Sequence, residues 1–368
     1  MGRLRGVSLG SLPIVALLLG SCAGKPVVPA PPLAATDAKT LIEAALPPRV
    51  SDRTGWSDDM YAAFRSLTVA PSRENICAVV AVIEQESGFR VDPVIPNLGG
   101  IARKEIASRA ARAHLPMIIV DGVLELKSSD GRSYGGRIDA ARTEKDLSDT
   151  YEDLIAAVPL GRTLFAQRNP IRTRGPMQVN VAFAEQFSAA TPYPYPLHTS
   201  IADELFSRRG SLYFGIAHLL DYRAPYDRFL YRFADFNAGQ YASRNAAFQK
   251  ALGMVSGAKL VADGALLPHD PDGGPGATEL AARSIGARLK ISDSGIHGAL
   301  TGAKSRTFET TELYQRVFTL ADQRAGRSLP RAWVPEIKLT GPKITRNLTT
   351  DWYAHRVDGR FRRCLSTQ

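Results

Sequence analysis

The chain has 368 residues, 44% of them apolar and 22% charged, with 24 prolines and 31 glycines. That balance excludes a disordered or fibrous chain and fits one large folded domain with insertions, or two ordinary ones, with long connections. The formal net charge of +10, from 46 Lys and Arg against 36 Asp and Glu, contains no basic run of five or six residues. No nucleic-acid arm is therefore expected, and the basic surface either draws acidic glycans, peptide carboxylates or anionic lipid heads or simply keeps the chain soluble.

In chain order, Arg3 and Arg5 precede an apolar stretch at residues 7–20. It is too short for a comfortable membrane span and has the form of the apolar region of a signal peptide. It closes on Leu19, Gly20, Ser21 and Cys22. This resembles the bacterial lipobox. The resemblance implies that residues 1–21 are removed, that the Cys22 thiol carries a diacylglyceryl group, and that the chain is anchored by lipid in the cell envelope. Ala23, rather than Asp, after the cysteine implies the outer membrane, facing the periplasm. The plainer alternative is an ordinary signal peptide with an accidental cysteine. Residues 22–38, rich in Pro and Ala, form an extended tether. Two other cysteines, Cys77 and Cys364, are open to a disulfide in an oxidising envelope. The alternative is that Cys77 only fills the core of an apolar helix.

Helical patterns follow at residues 38–45 and 56–67. The clearest is at 76–86, where Ile76, Val79, Val80 and Ile83 fall within roughly 60° of one another on a helical wheel. Glu86 stands at the edge of that stripe and Ser87 within it. Gly88 suits a helix stop. Residues from about 91 to 170 have the character of a mixed insertion, with helices at 101–114 and 144–158 and a hairpin at 117–126 turning at Asp121 and Gly122. A short loop is expected at 174–180, and helices at 202–222, 226–237, 242–252 and 308–325. Residues 262–277 form a long loop, and Thr278 with Glu279 opens another helix. The last forty residues are punctuated by proline and less regular.

Three motifs carry chemistry. The first is Glu84, Gln85, Glu86, Ser87, Gly88, Phe89; the second is Gly175, Pro176, Met177, Gln178, Val179; the third is Phe233, Ala234, Asp235, Phe236, Asn237, Ala238, Gly239. In this order they resemble the goose-type lysozyme and lytic transglycosylase superfamily, over roughly residues 70–90 and 171–252, with the rest as elaboration belonging to a branch of bacterial envelope lipoproteins. The resemblance implies a mainly α (α+β) protein: a lysozyme-like catalytic domain at 39–255, interrupted by the mixed insertion, and a helical and irregular C-terminal extension at 256–368.

It also implies a chemistry. A glycosidic oxygen leaves only when protonated, so the donor must be a carboxylic acid kept protonated by desolvation. An acid ending an apolar stripe is placed for that, and Glu86 matches the family's catalytic acid. By resemblance the substrate is the peptidoglycan glycan strand, cleaved between N-acetylmuramic acid and N-acetylglucosamine to give a 1,6-anhydro end. Ser87, Met177, Gln178, Phe236 and Asn237 are the candidate substrate contacts, with Met177 as an apolar wall and Gln178 as a hydrogen-bonding amide, or both as a turn around a buried Met, Asn237 as either a substrate contact or a partner of the backbone at the helix end, and Ser87 as either a sugar contact or a helix cap. Glu84 is the fallback acid. The alternative for Glu86 itself is a structural pairing, as with Arg90. No cofactor and no metal are expected, since the six histidines are scattered and no metal-ligand spacing occurs.

Two departures from the family pattern stand out. Phe236 replaces the tyrosine before Asn-Ala-Gly, so a hydroxyl is missing that Tyr231 or Tyr241 would have to supply. Asp235 replaces a small residue and is a candidate second carboxylate. A hydrolytic muramidase and a non-catalytic peptidoglycan-binding or scaffold lipoprotein remain the alternatives to a lytic transglycosylase.

Overall fold

Residues 73–86 are dominated by Ile, Val and Ala, and they form the helix against which much of the molecule packs. The computed structural model describes residues 1–2, 34–158, 160, 163, 168–268, 274–341, 344 and 346–367. Helix α1 (Ala35–Ala45) and helix α2 (Arg53–Ser66) precede this central helix α3 (Arg73–Glu86). Ser72 caps α3 by accepting from the Asn75 amide at 3.2 Å. Every residue from Ile76 to Ile83 is buried. The wheel predicts one apolar stripe, but the helix is enclosed all round, because Ala78 and Ala81 let neighbours approach the faces that the branched residues leave.

The insertion contributes α4 (Leu98–Arg112), α5 (Met117–Leu124), α6 (Tyr134–Ala140) and α7 (Glu144–Ala157). The hairpin expected at 117–126 is instead the helix α5, so the described part of the insertion is helical rather than mixed. Only an isolated bridge, Lys127 to Ser133, remains of the β character. Pro116 occupies the N-cap of α5, where its missing amide costs nothing. Conversely, the loop expected at 174–180 carries a small antiparallel hairpin, β1 (Thr173–Arg174) against β2 (Val179–Asn180), with Thr173 opposite Asn180.

Helix α8 (Val181–Ala190) follows. The single helix expected at 202–222 is broken into α9 (Ile201–Glu204) and α10 (Arg208–Leu220), because Ser207 turns out of the helix to cap α10 through the Gly210 amide at 3.0 Å. Next come α11 (Phe229–Ala238), α12 (Ala242–Ser256), α13 (Ala277–Ser284), α14 (Gly286–Leu289), α15 (Asp293–Thr301) and α16 (Glu312–Ala325). The short pair β3 (Lys338–Leu339) and β4 (Leu348–Thr349) leads into α17 (Thr350–Ser366). The C-terminal region expected to be irregular thus ends in a helix of 17 residues. Its Tyr353, Ala354, Val357 and Phe361 are buried on one face.

Helix accounts for 61% of the structure and strand for 3%, so the class is mainly α. Three apolar clusters hold it. The largest joins α1, α2, α3, α10, α11 and α17, with Ile42, Phe64, Phe214, Phe233 and Val357 at 0% exposure. A second joins α12 to the helices up to α16 around Phe248 and Phe308. A third, small one lies inside the insertion around Tyr134 and Leu147. The C-terminal helix α17 therefore shares its core with α3 and α11 rather than with α12 to α16, which directly precede it in sequence.

Among the described residues no helix is long and apolar enough to cross a membrane. Cys22, residues 3–21 of the expected signal peptide and residues 23–33 of the expected tether lie outside the described residues; the last tether positions, 35–38, are not extended but form the first turn of α1.

Candidate active site at the end of helix α3

Glu86 is the last residue of α3 and is partly buried. The chain leaves the helix by two left-handed residues, Gly88 at φ 61° and Phe89 at φ 68°. Glycine adopts that conformation freely; phenylalanine is strained in it. The Phe89 ring is held by packing edge-on against Trp56, with centroids 5.2 Å apart. The amides of Ser87 and Gly88 both return to the Ile83 carbonyl at 3.0 Å. Ser87 is buried, and its hydroxyl donates to the same carbonyl at 3.3 Å. Of its two expected roles it takes the structural one, closing the helix.

A hydroxyl reaches Glu86 from a residue that the motifs do not contain. Tyr353, on α17, donates to Oε1 of Glu86 at 2.5 Å. Burial and the neighbouring carboxylate push its phenol well above the usual value, so it remains a proton-bearing donor. One turn earlier on the same helix face, Thr350 donates to Oδ1 of Asn237 at 2.7 Å. Helix α17 thus links the ends of the first and third motifs. Of the two tyrosines expected to supply the hydroxyl, Tyr231 accepts from Arg228 at 2.9 Å and Tyr241 stacks edge-on against Tyr222 at 5.1 Å.

Cys364, at the far end of α17, is disulfide-bonded to Cys77 of α3, with Cα atoms 5.6 Å apart. The bond spans 287 positions of sequence, so it pins α17 beside α3 and raises the cost of unfolding by about 5–6 kcal/mol as the upper figure of the chain-entropy picture, with about 2–5 kcal/mol typical of native disulfides. The signal for this C-terminal contribution was present in the sequence as apolar residues at 353, 354, 357 and 361, a helical spacing. It was hidden by the charged residues between them.

The second motif is built into the hairpin. Gly175 is left-handed at φ 73°, and a Cβ there would stand 2.0 Å from the Leu205 carbonyl oxygen. Met177, expected as an apolar wall of the groove, is fully buried. It packs where Gly215 of α10 offers no side chain, and a Cβ on Gly215 would meet its Sδ at 2.3 Å. A residue with no exposed surface touches no substrate, so its contribution is to fix the hairpin on α10. Gln178 has φ 51°; its amide donates to Glu144 at 3.0 Å, and its Oε1 accepts from Thr173 at 2.8 Å. The insertion, through Glu144 of α7, therefore holds the polar end of the second motif.

Asp235, the candidate second carboxylate, is fully buried. It accepts from the hydroxyls of Tyr222 and Tyr226 at 3.0 and 2.7 Å and from the amides of Tyr241 and Ser243 at 2.9 and 2.6 Å. It is a structural hub that fixes the turn after α11. Burial still pushes its carboxyl up to about 6 against the pull of those donors. Phe236 is partly exposed and lies edge-on to His218 with centroids 5.1 Å apart. The fallback acid Glu84 is paired with Arg49 at 2.8 Å, and Arg90 directs its Nε to the Ser87 carbonyl at 3.1 Å.

Comparison with known proteins follows the whole chain rather than these motifs alone. "Uncharacterized protein YaiW" of Escherichia coli (strain K12) is 47% identical over 365 residues, covering 99% of this chain and 100% of that protein. No solved structure matches. A family model described as "Protein of unknown function (DUF1615)" matches residues 49–367, and the chain belongs to that family.

Proposed function

We propose that this protein is a peptidoglycan lytic transglycosylase with Glu86 as its single acid and base. The observation that carries the reading is the Tyr353 hydroxyl on Glu86, which puts back at the carboxylate a donor that Phe236 cannot provide. Protonated Glu86 would give its proton to the glycosidic oxygen between N-acetylmuramic acid and N-acetylglucosamine, and the C1–O4 bond would break. The sugar's own acetamide would support the electron-poor C1. The resulting carboxylate would take the proton of the muramic 6-hydroxyl as O6 bonds to C1, closing the 1,6-anhydro ring without consuming water. One carboxylate suffices for this sequence, whereas hydrolysis calls on two, roughly 5–9 Å apart. The engagement of Asp235 by four donors removes the sequence's best second carboxylate and disfavours the hydrolytic muramidase. Anchoring through Cys22 would set the enzyme on the envelope membrane, within reach of the glycan.

A second reading, a non-catalytic peptidoglycan-binding or scaffold lipoprotein, is favoured by one observation. The amides of Gln178 and Asn237, expected to meet sugar, are bonded to Glu144, Thr173 and Thr350 of the protein itself. The deciding experiment is mass spectrometry of purified sacculi incubated with the protein and with Glu86→Gln. Anhydromuropeptides from the wild type alone support the transglycosylase. Reducing ends identify a muramidase. No product, with both proteins pelleting on sacculi, selects the binding protein.

A further inference from the structure

The insertion encloses a groove that the glycan chemistry does not use. It has a volume of about 690 Å³, within the range of sites that bury a small ligand. Its walls are apolar: Ile106 and Ala110 of α4, Val120 and Leu124 of α5, Leu147 and Leu154 of α7. The polar groups among its lining are few and biased in charge. Arg109, Arg168 and Arg172 are exposed. Of the two glutamates, Glu105 is paired with Arg109 at 2.7 Å and Arg112 at 3.4 Å, and Glu144 is engaged by Gln178 at 3.0 Å. An apolar trough lined by more cations than anions suits an occupant with a long hydrocarbon part and an anionic head.

The helix beside the groove says where that occupant comes from. Helix α5 reads Met-Ile-Ile-Val-Asp-Gly-Val-Leu and buries only Leu124. Ile118 is 81% exposed, and Leu115, Ile119 and Leu126 are each about half exposed. At 8 residues this helix is too short to cross a bilayer. A short apolar helix with Arg112 before it and Lys127 after it, and its acids Asp121 and Glu125 turned to water, lies instead at the headgroup boundary of a membrane, with its apolar side chains among the acyl chains. A contiguous apolar patch of this kind is not left in water without a partner.

We infer that the α4–α5–α7 groove binds one anionic phospholipid drawn from the membrane, one of its two acyl chains along the apolar floor, the other beside the exposed apolar residues of α5, and its phosphate against Arg109 and Arg172. Helix α5 is the edge that enters the bilayer surface, and the lipid passes along it into the groove. The inference is independent of Glu86 and stands whether or not the protein cleaves glycan.

The test uses the full chain released from membranes in a mild non-ionic detergent. It is titrated with palmitoyl-oleoyl phosphatidylglycerol and, separately, with the matching phosphatidylcholine, and read by native mass spectrometry. The expected result is a saturable adduct of one lipid, reached with phosphatidylglycerol at about ten-fold lower concentration than with phosphatidylcholine. Arg109→Glu with Arg172→Glu, both at exposed positions, should bring phosphatidylglycerol down to the phosphatidylcholine level, with the melting temperature only slightly lowered by loss of the Arg109–Glu105 ion pair. Ala102→Trp, which fills the groove, should remove the adduct of both lipids; the charge-reversed protein keeps the test decisive if Ala102→Trp fails to fold. The proposal is overturned by no adduct, by adducts that grow without saturating, by equal affinity for the two lipids, or by an adduct that the arginine changes leave untouched. A dimer that Ile118→Lys dissociates, in a protein that takes up no lipid, would overturn it too by assigning the patch to a second copy.

Discussion

The hydroxyl of Tyr353 meets Oε1 of Glu86 at 2.5 Å across 267 positions of sequence. A bond between groups so far apart in the chain exists only if α17 is held in register along α3, so the disulfide and the buried face of α17 are conditions of the site as much as of the fold.

Tyr353→Phe keeps the ring and removes the bond. The Glu86 oxygen then lacks this donor in a partly buried setting, and stability should fall by about 1–3 kcal/mol, read by denaturant unfolding. If the proposed chemistry holds, release of anhydromuropeptides should drop by about ten- to a hundred-fold, with a changed pH profile, because the group that orients the carboxylate has gone. A purely structural tyrosine would lower stability and leave the pH profile of the remaining activity as it was.

Replacing both Cys77 and Cys364 by serine should lower stability by about 2–5 kcal/mol. Native protein should show neither thiol to an alkylating reagent before reduction. Because Cys364 and Tyr353 share α17, the same protein should, if the proposed chemistry holds, lose glycan cleavage more steeply on warming than it loses overall helix content by circular dichroism. Labelling of either thiol in the unreduced native chain would contradict the bond.

Much of this could be read from sequence, and the failures have physical causes. Helices α3, α7 and α11 were legible because their apolar residues recur at helical spacing between polar ones. Helix α5 was not, because its eight residues include an unbroken apolar run with no helical period, while Asp121 and Gly122 offer a turn signal that wins by default. Helix α17 was missed for the opposite reason: its apolar face is narrow, and the charged residues around it dominate the average. Glu86 was singled out because three motifs in order resemble a glycan-cleaving family, with the acid at the end of an apolar stripe. Tyr353 and Thr350 were not, because a partner supplied from the other end of the chain leaves no local signature. The motif in which Asp235 sits was recognised, but the two tyrosines that engage it lie 9 and 13 residues away, and their convergence is visible only in three dimensions.

Gly175→Ala and Gly215→Ala separate backbone strain from side-chain crowding. At Gly175 the new methyl meets the Leu205 carbonyl, a backbone atom that cannot step aside, and the residue must also keep a positive φ. A loss of more than about 3 kcal/mol is expected. At Gly215 the obstacles are Met177 atoms: its Sδ and Cε can rotate away and its Cβ, at 2.9 Å, calls for a small shift of the hairpin, together at a cost of about 1–3 kcal/mol. Gly215→Ala with Met177→Ala should recover part of that loss, whereas no change at Met177 should help Gly175→Ala. Urea unfolding of the four proteins decides it; equal losses at the two glycines would refute this account of the hairpin.

His218 supplies the pH dependence. Its ring lies against Phe183 at 4.4 Å and Phe236 at 5.1 Å. One edge keeps some exposure, but Nε2 is buried without a hydrogen-bond partner among the described residues. Burial lowers its pKa to about 4, from an ordinary value of 6.5. The folded state therefore holds the ring neutral where the unfolded chain would protonate it. The stability this gives is complete above the unfolded value, declines as pH falls below about 6.5, and is gone below about 4. The full difference is at most about 3 kcal/mol. Asp235 acts with the opposite sign in an overlapping window: its raised carboxyl stabilises the fold below the unfolded value near 4, and that contribution is lost as pH rises through about 6. The two effects partly cancel in the wild type, so a flat acid limb in the wild type alone says little. His218→Phe removes one and keeps the other. Between pH 7 and pH 4 the variant should gain stability relative to wild type, and a stability difference between the two proteins that does not change with pH would show that His218 is not held neutral by burial.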